Sequence, residues 1–191
     1  NGKASFTVDG GTVSVGAVTV GRSASSSGRL TIESGTFASG GNQLRIGERG
    51  SAVFTMNGGS LTANIALELN GSSESTSEDT MFIFNGGRIT VGQINTKTTL
   101  ATATMIWNGG VLSCNGQADF WGGIFPASEY INVKVLGGGA IYETAAGRET
   151  KSETIAQPLS GIGSFTKRGG GTLNLTGALD LKGGFKVAGR N

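Results

Sequence analysis

Carboxylates that sit beside cations are the first candidates for chemistry in this 191-residue chain. Glu74, Glu78 and Asp79 fall in the run Ser-Ser-Glu-Ser-Thr-Ser-Glu-Asp, and Glu143, Glu149 and Glu153 share residues 142–154 with Arg148 and Lys151. Two or three carboxylates, or a carboxylate with Arg or Lys, converging on one face would suit polysaccharide hydrolysis or elimination. The first cluster also suggests weak cation ligation. It lacks, however, the Asp-x-Asp-x-Asp-Gly order of a calcium loop and the Gly-Gly-x-Gly-x-Asp repeat of calcium-binding coils. Both segments therefore read as solvated, charged loops.

Arg22, Arg29, Arg45 and Arg49 recur early in the chain. Lined up on one face they would attract anionic glycans; they equally serve to keep flat strands soluble, since exposed strands need charge against aggregation. Phe120, Trp121 and Phe125 interrupt the surrounding pattern and form a candidate aromatic patch for a sugar ring or a partner chain, or else a loop folded over the flank. Gly137–Gly139 and Gly169–Gly171 lack the Gly-Lys-Ser/Thr ending of a phosphate loop and read as corners. Cys114 reads as a small apolar filler.

Histidine is absent and Cys114 is the single cysteine. That removes Ser-His-Asp and Cys-His nucleophile systems, imidazole metal sites and any internal disulfide. No catalytic residue, cofactor or metal ligand is assigned. Lys and Arg number 15 against 13 Asp and Glu, a balance without the footprint of a nucleic-acid binder. No apolar run is long enough for a membrane-spanning helix, and no signal peptide opens the chain.

The elements that must position these residues follow from a repeat. Thirty-five residues are glycine, and Gly pairs or Ser-Gly recur every two to three dozen residues, at Gly10-Gly11, Ser34-Gly35, Gly58-Gly59, Gly86-Gly87, Gly109-Gly110, Gly138-Gly139 and Gly170-Gly171. Five positions before the second glycine stand Phe6, Leu30, Phe54, Phe82 and Met105; three before it stand Val8, Ile32, Met56, Phe84, Trp107 and Leu136. Two after it stand Val13, Phe37, Leu61, Ile89, Leu112, Ile141 and Leu173. Apolar alternation of period two marks strand. Further alternating pieces follow at Val18–Val20, Leu44–Ile46 and Leu67–Leu69.

One repeat holds too few apolar groups for its own core, whereas stacked repeats bury a continuous column. The expected fold is all-β: a right-handed parallel β-helix, or β-solenoid, of about seven coils, its handedness following the crossover rule. Insertions at 72–79, 117–132 and 144–159 are expected to form loops on one side. Asp9, Asn57, Asn85 and Asn108 precede the glycine pairs. They are suited to the left-handed backbone of a corner and to an amide ladder along the axis.

The segment 161–177, Gly-Ile-Gly-Ser-Phe-Thr-Lys-Arg-Gly-Gly-Gly-Thr-Leu-Asn-Leu-Thr-Gly, resembles the autotransporter-associated β-strand repeat. Lys167, Gly169, Gly171, Thr172, Leu173, Leu175 and Gly177 match its pattern, and Phe165 replaces its usual Leu. The chain then divides into glycine-rich coils over 1–160 and a coil of that type over 161–191, continuous in one solenoid. The resemblance implies a secreted or surface-exposed bacterial passenger-type β-helix with a structural or adhesive role and no catalytic residues. Its partners would be other protein chains at the open edges, a host or matrix surface, or glycans. The alternatives are a subunit stacking head to tail into an extracellular filament, and a carbohydrate-binding or carbohydrate-active β-helix.

Overall fold

The computed structural model describes residues 2–41, 43–116 and 123–189. Among them the secondary structure is entirely β, in strands β1 to β18 with no helix. Every paired strand runs parallel to its neighbour, and the strands stack into a three-faced solenoid of about seven turns.

The first face takes the leading halves of β1 (Lys3–Val15) and β3 (Ser27–Ser39). Above them stack β5 (Ser51–Met56), β7 (Thr80–Phe84), β9 (Ala103–Trp107), β11 (Ile131–Val135), β14 (Leu159–Gly161) and β17 (Leu179–Leu181). The second face takes the trailing halves of β1 and β3, the leading halves of β6 (Ser60–Leu69) and β8 (Arg88–Asn95), then β10 (Val111–Cys114), β12 (Ala140–Glu143), β15 (Phe165–Arg168) and β18 (Phe185–Ala188). The third face starts with β2 (Val18–Val20), β4 (Leu44–Ile46) and the trailing halves of β6 and β8. It continues through Ile124 and Phe125 into β13 (Ser152–Ile155) and β16 (Thr172–Leu175).

Equivalent side chains lie directly over one another because parallel pairing holds the register from coil to coil. Phe6, Leu30, Phe54, Phe82, Met105 and Val133 form one column, and Val8, Ile32, Met56, Phe84, Trp107 and Val135 the next. Within the stack almost all of these are fully buried; Phe6, in the first coil, stays half exposed. Each large apolar side chain so covered contributes about 1.5–3 kcal/mol. Aromatic contacts continue along the stack, from Phe84 to Trp107 at 6.0 Å and from Phe165 to Phe185 at 5.6 Å.

Three column assignments made from spacing are corrected. Val135, not Leu136, pairs with Trp107, and Tyr142, not Ile141, pairs with Leu112. The corner between Val135 and Tyr142 is two residues longer than that between Trp107 and Leu112, so each flank slips by one from the glycine anchor, and a one-residue slip in a strand moves a side chain to the opposite face. Leu173 pairs with Glu153 on the third face, because Gly169–Gly171 turn a different corner from the earlier pairs. The expected loops over 117–132 and 144–159 also need correction: their described parts contribute Ile124, Phe125 and β13 to the third face.

The corner at Asn57-Gly58-Gly59 shows why two glycines are needed. A Cβ on Gly58 would stand 2.5 Å from the Glu33 carbonyl oxygen of the coil below, so that position is closed by backbone approach. Gly59 has φ +68° and takes the left-handed turn itself. The preceding asparagines do not: Asn70, elsewhere, is the one non-glycine residue with positive φ among the described residues. Their side chains form the ladder instead. Asn57 Nδ2 donates to Glu33 Oε2 at 2.9 Å, Asn85 Nδ2 to Asn57 Oδ1 at 2.9 Å, and Asn108 Nδ2 to Asn85 Oδ1 at 3.3 Å. The Gly138 amide then donates to Asn108 Oδ1 at 3.0 Å.

Candidate functional site

Outward side chains on the second face change character along the axis. In the first three coils they are Thr12, Thr36, Ser60, Ser14, Ala38 and Thr62. In the same two registers further up, one row runs Arg88, Val111, Ile141, Thr166 and Lys186, and the other Thr90, Ser113, Glu143, Arg168 and Ala188. Arg88, Lys186 and the second row, with the turn at Thr144–Ala146, line a groove of about 780 Å³.

The floor is cross-linked. Arg88 donates through Nη2 to Glu143 Oε1 at 2.7 Å and through Nη1 to Ser113 Oγ at 2.8 Å. Ser113 Oγ donates in turn to the Glu143 carbonyl at 2.9 Å. Glu143 is thus drawn to Arg88 rather than to Arg168, its register neighbour one coil above. The lining holds one carboxylate and three cationic side chains, which leaves Arg168 and Lys186 as an excess of positive charge.

Two anchors inside the solenoid fix the groove's wall and rim. Arg148 turns inward and its Nε donates to Glu153 Oε1 at 2.7 Å, with side chains only 13% and 1% exposed. Tyr142 Oη, also buried, donates to the other oxygen of Glu153. Burial, reinforced by the hydrogen bond and charge of Glu153, pushes the Tyr142 phenol far above its usual range. Lys167 occupies the inward column above Tyr142 and its Nζ donates to the carbonyls of Gly169, Gly170 and Gly171. All three of its donors are satisfied, which is how a buried Lys is tolerated. The segment read as a solvated loop, 142–154, is therefore pinned from inside at Arg148 and Glu153, and only its Thr144–Ala146 turn walls the groove.

The other candidate residues are placed as follows. Glu74 pairs with Arg49; Glu78 accepts the Thr102 amide at 3.0 Å; Asp79 accepts from Ser51 at 3.4 Å. The three point to different partners, and among the described residues no group of three or more His, Cys, Asp or Glu is placed to hold a metal ion. Arg22 and Arg45 share Glu48, and Arg45 also binds Glu68 at 2.9 Å. That bond raises the Arg45 pKa. These arginines make intramolecular pairs, and Arg22 and Arg49 also line a smaller groove with Glu48; Arg29 is exposed on the first face. Phe120 and Trp121 lie outside the described residues. Phe125 is fully buried beside Ile155 and belongs to the core of the third face, so of the three residues this one is not part of an exposed patch. Cys114 is buried in register with Val91.

Sequence reasoning missed Arg88, Arg168 and Lys186. Val111, Ile141 and Thr166 stand between Arg88 and Lys186 in one register, so no charged column marks these residues in the sequence.

The fold and the groove define a parallel β-solenoid with a cationic cleft on one flank. Comparison with family models, with curated proteins and with solved structures finds no match for this chain.

Proposed function

We propose that this solenoid is a non-enzymatic structural and adhesive module of an exported bacterial surface or extracellular protein. The observation that supports this most is the contrast between the stacked apolar core of the rod and the charged cleft on its second face. Glu68 and Glu153 are tied to Arg and Lys side chains and Glu78 to a backbone amide, while the second face presents a groove with surplus cations. The likeness of residues 161–177 to the autotransporter-associated repeat adds support for export. In this reading the stacked core supplies stiffness and the flank supplies contact.

Beads coated with the 191-residue chain should attach saturably to surfaces coated with extracellular matrix, and the soluble chain should compete. Beads that attach no better than albumin-coated ones overturn the adhesive role. Incubation with acidic polysaccharides should release no reducing ends or unsaturated products; release overturns the non-enzymatic reading.

A second reading rests on the apolar edge of the last coil. Phe185 and Val187 are 51% and 67% exposed directly above Phe165 and Lys167. Such an edge accepts a further coil, whether from the same polypeptide or from a second copy stacking into a filament. Electron microscopy at rising protein concentration tests the second copy: fibres support it and persistent monomers sink it.

A further inference from the structure

We propose that the groove on the second face binds a carboxylate-bearing oligosaccharide, with Arg168 and Lys186 as the groups that take the carboxylates. The inference deepens the adhesive reading and rests on it. Charge is the first argument. Arg88 is neutralised by Glu143, whereas Arg168 and Lys186 add two cations with no second carboxylate in the lining. Guanidinium groups match carboxylates in a planar, two-pronged geometry.

Shape is the second. Arg88 and Lys186 are separated by four ladder steps, from β8 through β10, β12 and β15 to β18, or roughly 19 Å along the axis. Arg168 and Lys186 lie one coil and two residues apart, which puts their Cα atoms roughly 8 Å from each other. An extended ligand with repeated negative charges fits that line better than a single small anion.

Polarity is the third. Around the cations stand Thr90, Ser113 and Glu143, a set of donors and acceptors that complements sugar hydroxyls. Thr144, also in the lining, is only 5% exposed, and its buried Oγ1 has no hydrogen-bond partner in the protein. No aromatic or large apolar side chain lines the groove. That argues against a protein partner, whose affinity concentrates on buried aromatic anchors, and against single-stranded nucleic acid, which stacks on them. Glu143 would repel a ligand made only of phosphates; it accepts from hydroxyls set between carboxylates.

Isothermal titration of the 191-residue chain tests this with tetragalacturonate, neutral cellotetraose and tetraglutamate. Tetragalacturonate should bind, and more weakly as salt rises. The variant carrying Arg168→Ala and Lys186→Ala should lose about tenfold or more in affinity, the loss expected when a charge-assisted hydrogen bond is removed. Arg29→Ala, exposed on the first face, should bind as the parent does. Both altered side chains are exposed, so the variant keeps its circular dichroism spectrum. Three results overturn the proposal: no binding of tetragalacturonate, equal binding by the double variant, or equal binding of cellotetraose or tetraglutamate. Bead attachment separates the two readings. If beads attach but tetragalacturonate does not bind, the ligand assignment fails and the adhesive role stands.

Discussion

Phe54 and Phe82 stack one above the other in successive coils, their ring centroids 4.7 Å apart and their planes within 6° of parallel. The spacing is that of the β-ladder itself, so the rings repeat the backbone's own rise. Phe82 has Phe84 beside it at 5.6 Å, and neither ring of the 54–82 pair meets solvent. Phe82→Ala would open a cavity between two coils held apart by their hydrogen bonds and unable to collapse. The expected cost is about 3–5 kcal/mol, read as a lower denaturation midpoint in urea. A loss under about 1 kcal/mol would mean the rings do not carry the stack.

The amide ladder is directional, and this yields an ordering. Glu33 at its foot only accepts, and the Gly138 amide at its head only donates. Asn85→Ala removes two exposed hydrogen bonds and should cost about 1 kcal/mol. Asn85→Asp should cost more, because a carboxylate has no donor for Asn57 Oδ1 and sets two oxygens face to face. Equal midpoints for the two variants, measured in urea at neutral pH, would contradict the direction assigned.

Adjacent glycines should behave in opposite ways. Gly137 has no atom within 4 Å of an added Cβ and no positive φ, whereas a Cβ on Gly138 would lie 1.8 Å from the Asn108 carbonyl oxygen. Gly137→Ala is expected to stabilise by about 0.4–1 kcal/mol through the unfolded chain. Gly138→Ala forces two coils apart and should destabilise by about 1–3 kcal/mol or more. Thermal melts of the pair settle it; similar melting temperatures would refute the close approach.

Tyr142 makes stability sensitive to alkali. Its folded pKa lies far above the unfolded value because burial, then Glu153, disfavour the phenolate. The folded state therefore keeps its proton where the unfolded state, with a pKa near about 10, releases it. The tyrosine's contribution is complete below that point and falls as pH rises beyond it, by about 1.4 kcal/mol at pH ~11. Tyr142→Phe should flatten this part of the pH profile relative to the parent. Parallel profiles above pH ~10 would exclude Tyr142 as the source.

The solenoid itself was legible because its signal is periodic. Phe6, Leu30, Phe54 and Phe82 occupy equal positions in sequence and, since parallel pairing preserves register, equal positions in space. Cys114 falls in register with Val91 by the same rule. The late coils were not legible in this way. A corner longer by two residues between Val135 and Tyr142 displaces Leu136 and Ile141 from the columns, and Gly169–Gly171 belong to another corner. Polar groups inside the stack were harder still. Glu153 and Lys167 look like surface residues by type, and the local folding of their own turns, which spacing does not reveal, brings Arg148 and Tyr142 to one and the carbonyls of Gly169, Gly170 and Gly171 to the other. The groove draws on both, since Glu143, Arg168 and Lys186 lie beyond the longer corner and the wall is tethered by those buried groups.

Asparagine side chains that all hand their protons toward the amino-terminal coil make the rod a vector. Segments of such a rod can be lengthened, shortened or spliced only in whole turns and only in the same sense. A reversed turn would set oxygen against oxygen on one side and NH2 against NH2 on the other.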